Sequence, residues 1–255
     1  MLEILQNNEF WTFVAVGFAA QMVDGALGMA YGTLSTAILL ASGVPPLTVS
    51  ATVHSAQFFT TGLSALSHSF FKNVNKRLFI YLAVSGSIGG MAGAMLLTKI
   101  PGNIIKPWIA GYLVFLGVLI LWKRFRKAKI RSVNTGNENV FRAGLGLLGG
   151  FLDALGGGWG PMMTSNLIAR DEDPRMVIGS VNTAEFFVKT LIAATLVSTI
   201  AFTFQDALLG LLLGGVLAAP FGAFVLRYIK PEILMSLVGV LVILISGFTL
   251  YKAIF

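Results

Sequence analysis

Four ionisable side chains lie inside apolar stretches of the sequence, where charge is rare. Asp24, Asp153, Glu185 and Lys189 are each flanked by mostly apolar, uncharged residues. A charge at the centre of a bilayer costs about 2.5–3.5 kcal/mol on insertion scales, so such residues normally face the protein interior and serve a function. Glu185 and Lys189 stand four residues apart on one predicted helix and can pair. Two roles fit this pair: mutual neutralisation that holds helices together, or a lysine that attracts an anion beside a glutamate that carries a proton.

Two glycine-rich clusters follow the two aspartates. They read VDGALGMAYG at 23–32 and LDALGGGWGP at 152–161. Because each glycine weakens a helix by about 1 kcal/mol relative to alanine, we predict a helix break at each cluster; close helix packing through small residues is the alternative. The half-helix that begins near Pro161 would offer free N–H groups to an anion. For Asp24 and Asp153 two roles stay open, a proton-linked carboxylate or a cap on the broken half-helix.

Membrane-spanning helices are the elements that must position these residues. The chain is 56% hydrophobic and only 11% charged, whereas soluble domains carry about 25% charged residues. A transmembrane helix takes about 20 mostly apolar residues. We therefore predict an all-α, polytopic bundle of about eight spans, in these segments: 10–42, 47–71, 78–98, 104–122, 143–169, 176–201, 205–226 and 233–254.

The two halves of the sequence align with each other. The segment VHSAQFF at 53–59 matches VNTAEFF at 181–187 in four of seven positions, at a shift of 128 residues. Further pairs occur at the same shift, or one residue beyond it: Gly28 with Gly156, Tyr31 with Trp159, Gly32 with Gly160, Pro46 with Pro174, Gly86 with Gly214, and Asp24 with Asp153. We therefore predict two four-span repeats. Four spans give parallel copies, whereas one segment per repeat that enters the membrane and returns gives inverted copies.

The charge distribution divides the chain and orients it. We predict a first transmembrane repeat at 1–122, a basic cytoplasmic linker at 123–142 and a second transmembrane repeat at 143–255. With eight spans, one face carries both termini and eleven lysines and arginines, against six on the other face. Cytoplasmic loops are rich in lysine and arginine, so both termini are predicted to be cytoplasmic. The same rule explains the net charge of +7 without nucleic acid as a partner.

Composition and motifs narrow the chemistry. The chain has no cysteine and only two histidines, so neither a disulfide nor a multi-histidine metal site is expected. The sequence contains no nucleophile elbow, zinc-protease motif or phosphate-binding loop. We predict a protein that is not an enzyme, with no catalytic residues, no cofactor and no metal.

The duplicated pattern resembles the TauE/SafE family of sulfite exporter-like permeases. The resemblance covers about 10–250 and rests on the two glycine-rich segments with their aspartates, the GVPP and DEDP loops, and the VHSAQFF and VNTAEFF segments. It implies a secondary transporter of the bacterial inner membrane that exports small sulfur-containing anions, such as sulfite or sulfonates. The first break is less rich in glycine than the second, so two anion sites would not be equivalent.

The residues give candidate positions in both breaks and on the second span of each repeat, and the resemblance implies those within 25–32, 54–57, 156–160 and 182–185. Substrate contacts are predicted for Gly28, Tyr31, Gly32, His54, Ser55, Gln57, Gly157, Gly158, Trp159, Gly160, Asn182, Thr183 and Lys189. Proton coupling is predicted for three carboxylates, Asp24, Asp153 and Glu185, because a carboxylate beside an anion repels it unless protonated.

The partners expected are a small anionic substrate and the lipid bilayer, and the sequence leaves room for a homo-oligomer. Two other functions stay open. A passive anion channel needs the same polar lining without alternating access. A membrane scaffold or assembly protein would dock through the basic linker and would not need ionisable groups beside broken helices.

Overall fold

Helices make up nearly all of the structure, which is a computed structural model describing residues 7–27, 29–125, 138–168, 174–199, 205–225 and 230–255. No strand occurs in these ranges. The helices are α1 (Asn8–Leu27), α2 (Tyr31–Ala41), α3 (Pro46–Phe70), α4 (Lys76–Lys99), α5 (Gly102–Phe125), α6 (Glu138–Gly156), α7 (Trp159–Ile168), α8 (Pro174–Val197), α9 (Gln205–Val225) and α10 (Pro231–Ile254). The basic linker lies mostly outside the described residues.

Local sequence signals set several helix ends. Pro46 and Pro231 open α3 and α10, since proline's missing N–H and fixed φ suit the first helical position. The Asn75 side chain caps α4 by accepting hydrogen bonds from the backbone N–H groups of Arg77 and Leu78, which satisfies two donors that the helix leaves free. Gly43 has a φ of +89° in the turn between α2 and α3, a conformation that favours glycine.

Four helices in the described part of the chain are long and apolar enough to cross a membrane. They are Lys76–Lys99, Gly102–Lys123, Arg175–Val197 and Glu232–Ile254. Large apolar side chains also cover outward faces, such as Ile80, Val84 and Ile88 along α4, where lipid takes the place of water. The chain is therefore a multi-pass helical membrane protein. Length and apolar composition alone do not give the eight predicted spans, because α2 and Asp206–Ala218 are shorter apolar helices.

Both predicted helix breaks are present, and they touch each other. α1 ends at Leu27 before α2 begins at Tyr31, and α6 ends at Gly156 before α7 begins at Trp159. A methyl group added to Gly32 would lie 2.9 Å from the Cα of Gly157, and the Thr33 hydroxyl donates to the Gly157 carbonyl at 2.8 Å. The glycines at the breaks therefore allow the chain to turn and allow the two backbones to approach closely.

After its break, α7 folds back along α6. A methyl group on Gly149, seven residues before the end of α6, would meet the Met163 side chain. Met163 is the fifth residue of α7. At 1.5 Å per residue, a helix that continued straight on would separate these residues far beyond the reach of a methionine side chain. Helices α6 and α7 therefore form a hairpin.

Helices at the same position in each half pack together in opposite directions. Between α3 and α8, the Phe58 ring lies 5.4 Å from that of Phe186, while His68, further along α3, meets Asn182, earlier on α8. Between α5 and α10, a methyl group on Gly117 would lie 2.7 Å from Ile243, and one on Gly239 would lie 2.7 Å from Leu121. Both pairs are antiparallel.

Two other close helix pairs run in the same direction. In α1 and α9, the Asn7 side chain, which immediately precedes α1, donates to Asp206 at 2.8 Å, and a methyl group on Gly214 would lie 2.6 Å from the Phe18 nitrogen. In α4 and α6, Gly146 faces Ser85, while Gly93 faces Phe151 and Ala154. Glycines let each of these backbones approach closely.

Candidate functional site

Asp153, at the end of α6, is the centre of a buried ion cluster. Its Oδ1 accepts hydrogen bonds from the backbone N–H of Trp159 and from the Lys189 ammonium, both at 2.9 Å. The Lys189 Nζ also lies 2.8 Å from Oδ2. Asp153 is 0% and Lys189 1% exposed. Charges this deeply buried need both a counter-charge and hydrogen bonds, and this pair has both.

Lys189 lies between two carboxylates. Glu185, one turn earlier on α8, has its Oε1 3.6 Å from the Lys189 Nζ, a longer contact than either one to Asp153. The i,i+4 pair predicted from the sequence is therefore present, but the closer partner of Lys189 is Asp153. Two carboxylates share one ammonium, so the cluster is negative when both carboxylates are ionised and neutral when one of them is protonated.

His54 of α3 completes the cluster from the other half of the chain. Its Nδ1 lies 2.7 Å from the Ser50 carbonyl oxygen, and its Nε2 lies 3.4 Å from the Asp153 Oδ2. Because a carbonyl can only accept, the Nδ1 carries the hydrogen. The His54 Nε2 makes no hydrogen bond, and the Asp153 Oδ2 that it faces has the Lys189 ammonium as its ion-pair partner. His54 therefore presents its Nε2 to the Asp153 carboxylate.

Asp24 and Asp153 cap the helices that follow the two breaks. The Asp24 Oδ1 accepts from the backbone N–H groups of Ala30 at 2.8 Å and Tyr31 at 3.1 Å, as Asp153 accepts from Trp159. Carboxylates suit helix N-termini because of the partial positive charge there. Of the two roles that the sequence left open, capping is present at both sites. These N–H groups, predicted to meet an anion, are bound to carboxylates.

Tyr31 and Trp159 occupy matching places at the starts of α2 and α7. The Tyr31 hydroxyl donates to the Leu211 carbonyl at 2.9 Å, and the Trp159 indole N–H donates to the Val181 carbonyl at 3.3 Å. Both rings are fully buried. Trp159 packs against Gly86, where an added methyl group would come within 2.6 Å of its ring. Their contacts anchor the two helix starts to the rest of the bundle.

A polar cavity of about 310 Å³ lies beside the ion cluster. Its lining consists of Gln21, Asp24, Leu27, Thr60, Thr61, Ser64, His68, Thr164, Ile178, Asn182 and Glu185. Three of the residues predicted from the sequence, Asp24, Asn182 and Glu185, are on this wall. Asp153 and Lys189 are not; they lie behind Glu185.

Several lining residues were missed by the sequence predictions, although their spacing gives a signal. Ser64 and His68 continue, at intervals of four residues, the polar face of α3 that includes Thr60, and Gln21 precedes Asp24 by three residues on α1. Residues three and four apart share a helix face. Thr164 on α7 had no such signal.

The remaining predicted residues lie around the cavity or away from it. Gln57 is buried, with no hydrogen bond to its Oε1. Ser55 is half-buried on α3. The Thr183 hydroxyl donates to the Gly179 carbonyl, and Thr183 lines a separate apolar groove between α3, α4, α8 and α9. Gly158 packs against the Tyr112 hydroxyl, Gly160 is buried, and Gly28 lies outside the described residues.

Comparison with known proteins finds a family and relatives that match nearly the whole chain. A family model described as "Sulfite exporter TauE/SafE" matches residues 13–249. The "Probable membrane transporter protein YtnM" of Bacillus subtilis (strain 168) is 38% identical over 246 residues, covering 93% of this chain and 81% of that protein. The "Probable membrane transporter protein ORF9" of Sinorhizobium sp is 31% identical over 94 residues, 37% of this chain and 35% of that protein. No solved structure matches.

Proposed function

Because the chain belongs to the TauE/SafE family of membrane transporters, we propose that it is a secondary transporter of small sulfur-containing anions, such as sulfite or an organosulfonate. One observation carries the proposal: a polar cavity of about 310 Å³ adjoins the buried cluster of Asp153, Lys189 and Glu185. Intramembrane charges beside a cavity are typical of substrate and ion pathways. The proposed role is transport without chemical conversion, in the bacterial inner membrane, with export as in the family's description.

The cavity can hold an anion only after its carboxylates are neutralised. The Ser64 hydroxyl and the Asn182 amide can donate hydrogen bonds to sulfonate or sulfite oxygens, while Asp24 and Glu185 repel them. The hydroxyls of Thr60 and Thr61 already donate to the Gln57 carbonyl. A proton on Glu185, whose contact with Lys189 is the longer one, would remove one negative charge from the cavity wall and leave Lys189 paired with Asp153. We therefore propose proton coupling, with Glu185 as the group that takes up the proton. Asp24 and Asp153 cap the half-helices and take part in the same proton coupling.

Flux in proteoliposomes tests this function. Purified protein is reconstituted, the vesicles are loaded with sulfite or a small sulfonate, and efflux is followed with and without an imposed pH gradient. We expect saturable flux that the pH gradient can drive uphill and that Lys189→Met abolishes. Flux that never saturates and never runs uphill would indicate a passive channel instead. Absence of flux for sulfite, sulfonates and sulfate alike would contradict the proposal.

We further propose that the two halves are inverted repeats, each entering the membrane with a hairpin of two half-helices. What supports this is the direction of the helices: α3 and α8 are antiparallel, as are α5 and α10, whereas the first helix of each half runs parallel to the fourth of the other. These directions require the chain to reverse at each break. The hairpins α1–α2 and α6–α7 would then enter from opposite sides and return, leaving three crossing helices in each half.

This arrangement changes the orientation derived from eight spans. If the chain reverses at both breaks, one face carries fourteen lysines and arginines, and the face with both termini carries three, Lys99, Lys106 and Lys252. The positive-inside rule then places both termini outside the cytoplasm, opposite to the sequence prediction. The asymmetry is also much larger than eleven against six, which favours the reversed arrangement.

Cysteine labelling tests the orientation cleanly, since the chain has no cysteine. Phe255→Cys and Lys72→Cys are compared in cells whose outer membrane has been permeabilised, with a maleimide that cannot cross the inner membrane. We expect Phe255→Cys to react and Lys72→Cys to react only after lysis. Protection of both positions until lysis would match eight spans with cytoplasmic termini, and reaction of both would likewise contradict the inverted arrangement. The opposite pattern would keep the inverted arrangement but place the termini in the cytoplasm.

A further inference from the structure

We infer that the cavity beside Asp24 is a binding site for a small monovalent cation, which neutralises Asp24 when the anion enters. The inference rests on the proposed transport function for the cation's role as a coupling ion, although binding itself can be measured without transport. Three observations carry it: the occupant of the matching position in the other half, the oxygen lining, and an unpartnered buried amide.

The second half shows what occupies the matching position. Thr61 is the sixteenth residue of α3, counted from Pro46, and Lys189 is the sixteenth of α8, counted from Pro174. In the second half, the Lys189 ammonium lies 2.8 Å from Asp153. In the first half, Thr61 and Asp24 both line a cavity. The aspartate is retained as a cap in both halves, but where one half supplies its own cation, the other has a short side chain and open space.

The lining suits a hard cation. Two carboxylates and the four hydroxyls of the lining surround the space, and the carbonyl end of the half-helix α1 reaches it at Leu27. Carboxylate, carbonyl and hydroxyl oxygens are the ligands of alkali and alkaline-earth ions. In transporters with broken helices, half-helix C-termini and unwound carbonyls coordinate Na⁺.

Gln21 points to a ligand independently of the acidic residues. It lines the cavity and is 8% exposed, and its Oε1 makes no hydrogen bond. A buried amide oxygen without a partner costs about 1–3 kcal/mol. Gln21 stands one helical turn before Asp24 on α1, so a cation held by the Asp24 carboxylate lies within reach of the Gln21 oxygen and would satisfy it.

The charge balance favours one positive charge. Asp24, Asp153 and Glu185 face a single ammonium, that of Lys189, and Glu185 and Asp153 share it. Among the described residues, no group of three or more His, Cys, Asp or Glu side chains could hold a metal ion, which disfavours a divalent ion. With a monovalent cation at Asp24 and a proton on Glu185, the charges of these groups sum to zero and an anion can approach.

Thermal unfolding of the purified protein in detergent tests the site. Wild type is titrated with NaCl, KCl, LiCl and NH₄Cl, with choline chloride keeping ionic strength and chloride constant. We expect one of these cations to raise Tm saturably, by roughly 5–10 °C at a hundredfold excess over Kd. Equilibrium binding of radioactive Na⁺ or of Rb⁺, a K⁺ substitute, provides a second readout.

Two variants and a control decide the outcome. Asp24→Asn keeps a capping oxygen but removes the charge, and should abolish the cation response. Thr61→Lys should place an ammonium in the cavity, raise Tm in choline and also abolish the response. Asp206→Asn, whose carboxylate accepts from Asn7 outside the cavity, should respond like wild type.

The inference is overturned if no cation shifts the wild-type Tm, or if Asp24→Asn retains the full shift. The outcome is separable from that of the transport assay. A specific cation response without sulfite or sulfonate flux would remove the proposed substrate and keep the site. Anion flux that needs no cation, with no Tm shift, would keep the proposed substrate and remove the cation site.

Discussion

Asp24 and Asp153 use one carboxylate oxygen in the same way, but their surroundings differ. Each Oδ1 accepts a backbone N–H at the start of the helix after a break. Around Asp153 the remaining space is filled by Lys189 and His54, both 1% exposed. Asp24 instead lines an open polar cavity. The helix cap is therefore a structural feature common to both halves. The residues around each aspartate decide whether its charge is balanced by a side chain of the protein or by a bound ion.

The difference resides in three matched positions on α3 and α8. His54 aligns with Asn182, Gln57 with Glu185 and Thr61 with Lys189. One half thus contributes the imidazole and the other contributes the carboxylate and the ammonium. Exchanging these residues between the halves should therefore change how the charge of each aspartate is balanced, and this can be tested directly.

Loss of the Lys189 ammonium should have the largest effect. Lys189→Met leaves Asp153 buried and unpaired, and removal of one partner of a buried pair costs about 3–5 kcal/mol. Denaturant unfolding in detergent measures the free energy of unfolding. Adding Asp153→Asn to Lys189→Met should recover part of the loss, because no orphaned charge remains. Lys76→Met, at an exposed position on α4, is the control and should cost almost nothing. Wild-type stability of Lys189→Met would mean that the cluster is not ionic.

Neutralisation of the two aspartates should separate stability from transport. Both Asp24→Asn and Asp153→Asn keep a capping oxygen. Asp153→Asn also leaves the Lys189 ammonium with Glu185 alone, so we expect a loss of about 1–3 kcal/mol, against less than about 1 kcal/mol for Asp24→Asn. Anion flux should fall at least tenfold in both. Equal stability losses would mean that the two sites differ less than their geometry indicates.

Among the described residues, two glycines have a positive φ, and their replacement by alanine should differ in its cost to stability. Gly157 has a φ of +71°, and a methyl group there would lie 2.6 Å from the Cα of Gly32, whereas Gly43 has a φ of +89° and nothing within 4 Å. We expect Gly43→Ala to cost about 1–2 kcal/mol from backbone strain alone, and Gly157→Ala to cost more because the breaks must separate. Thermal unfolding of both variants measures the difference, and a smaller loss at Gly157 would contradict the close contact of the breaks.

The smallest effect on stability is expected for Glu185→Gln, which gives the second half the residue that the first half has at position 57. Glu185 makes the longer of the contacts to Lys189, at 3.6 Å, and glutamine keeps its size and an oxygen that can accept from the ammonium. We therefore expect a smaller change in the free energy of unfolding than for the variants above. Flux should continue down the anion gradient but lose its response to an imposed pH gradient. A retained response would assign proton uptake to another group, with His54 the next candidate.

The sequence predicts the helix breaks and part of the cluster, because these depend on local chemistry. Successive glycines before Trp159 cannot sustain a helix, and an aspartate six residues earlier can reach the next helix start. The Glu185–Lys189 contact likewise follows from a four-residue spacing.

Other features depend on distant parts of the chain and could not be predicted. An apolar segment has the same composition whether it crosses the membrane or turns back inside it, so the reversal of α7 along α6 has no local signal. The pairing of Lys189 with Asp153, and the approach of His54 from the other half, follow from helix packing. The cavity is a gap between helices. Only the spacing of Gln21 from Asp24 and of Ser64 from Thr60 indicates its wall in the sequence.

The contact between Gly32 and Gly157 joins the two helix breaks through main-chain atoms, with no side chain between them. Elsewhere in a protein a small displacement is absorbed when a side chain changes rotamer. Here main chain packs against main chain, so no rotamer change can absorb a displacement, and a shift of one break should displace the other. We therefore expect that a conformational change at one break requires an accompanying change at the other.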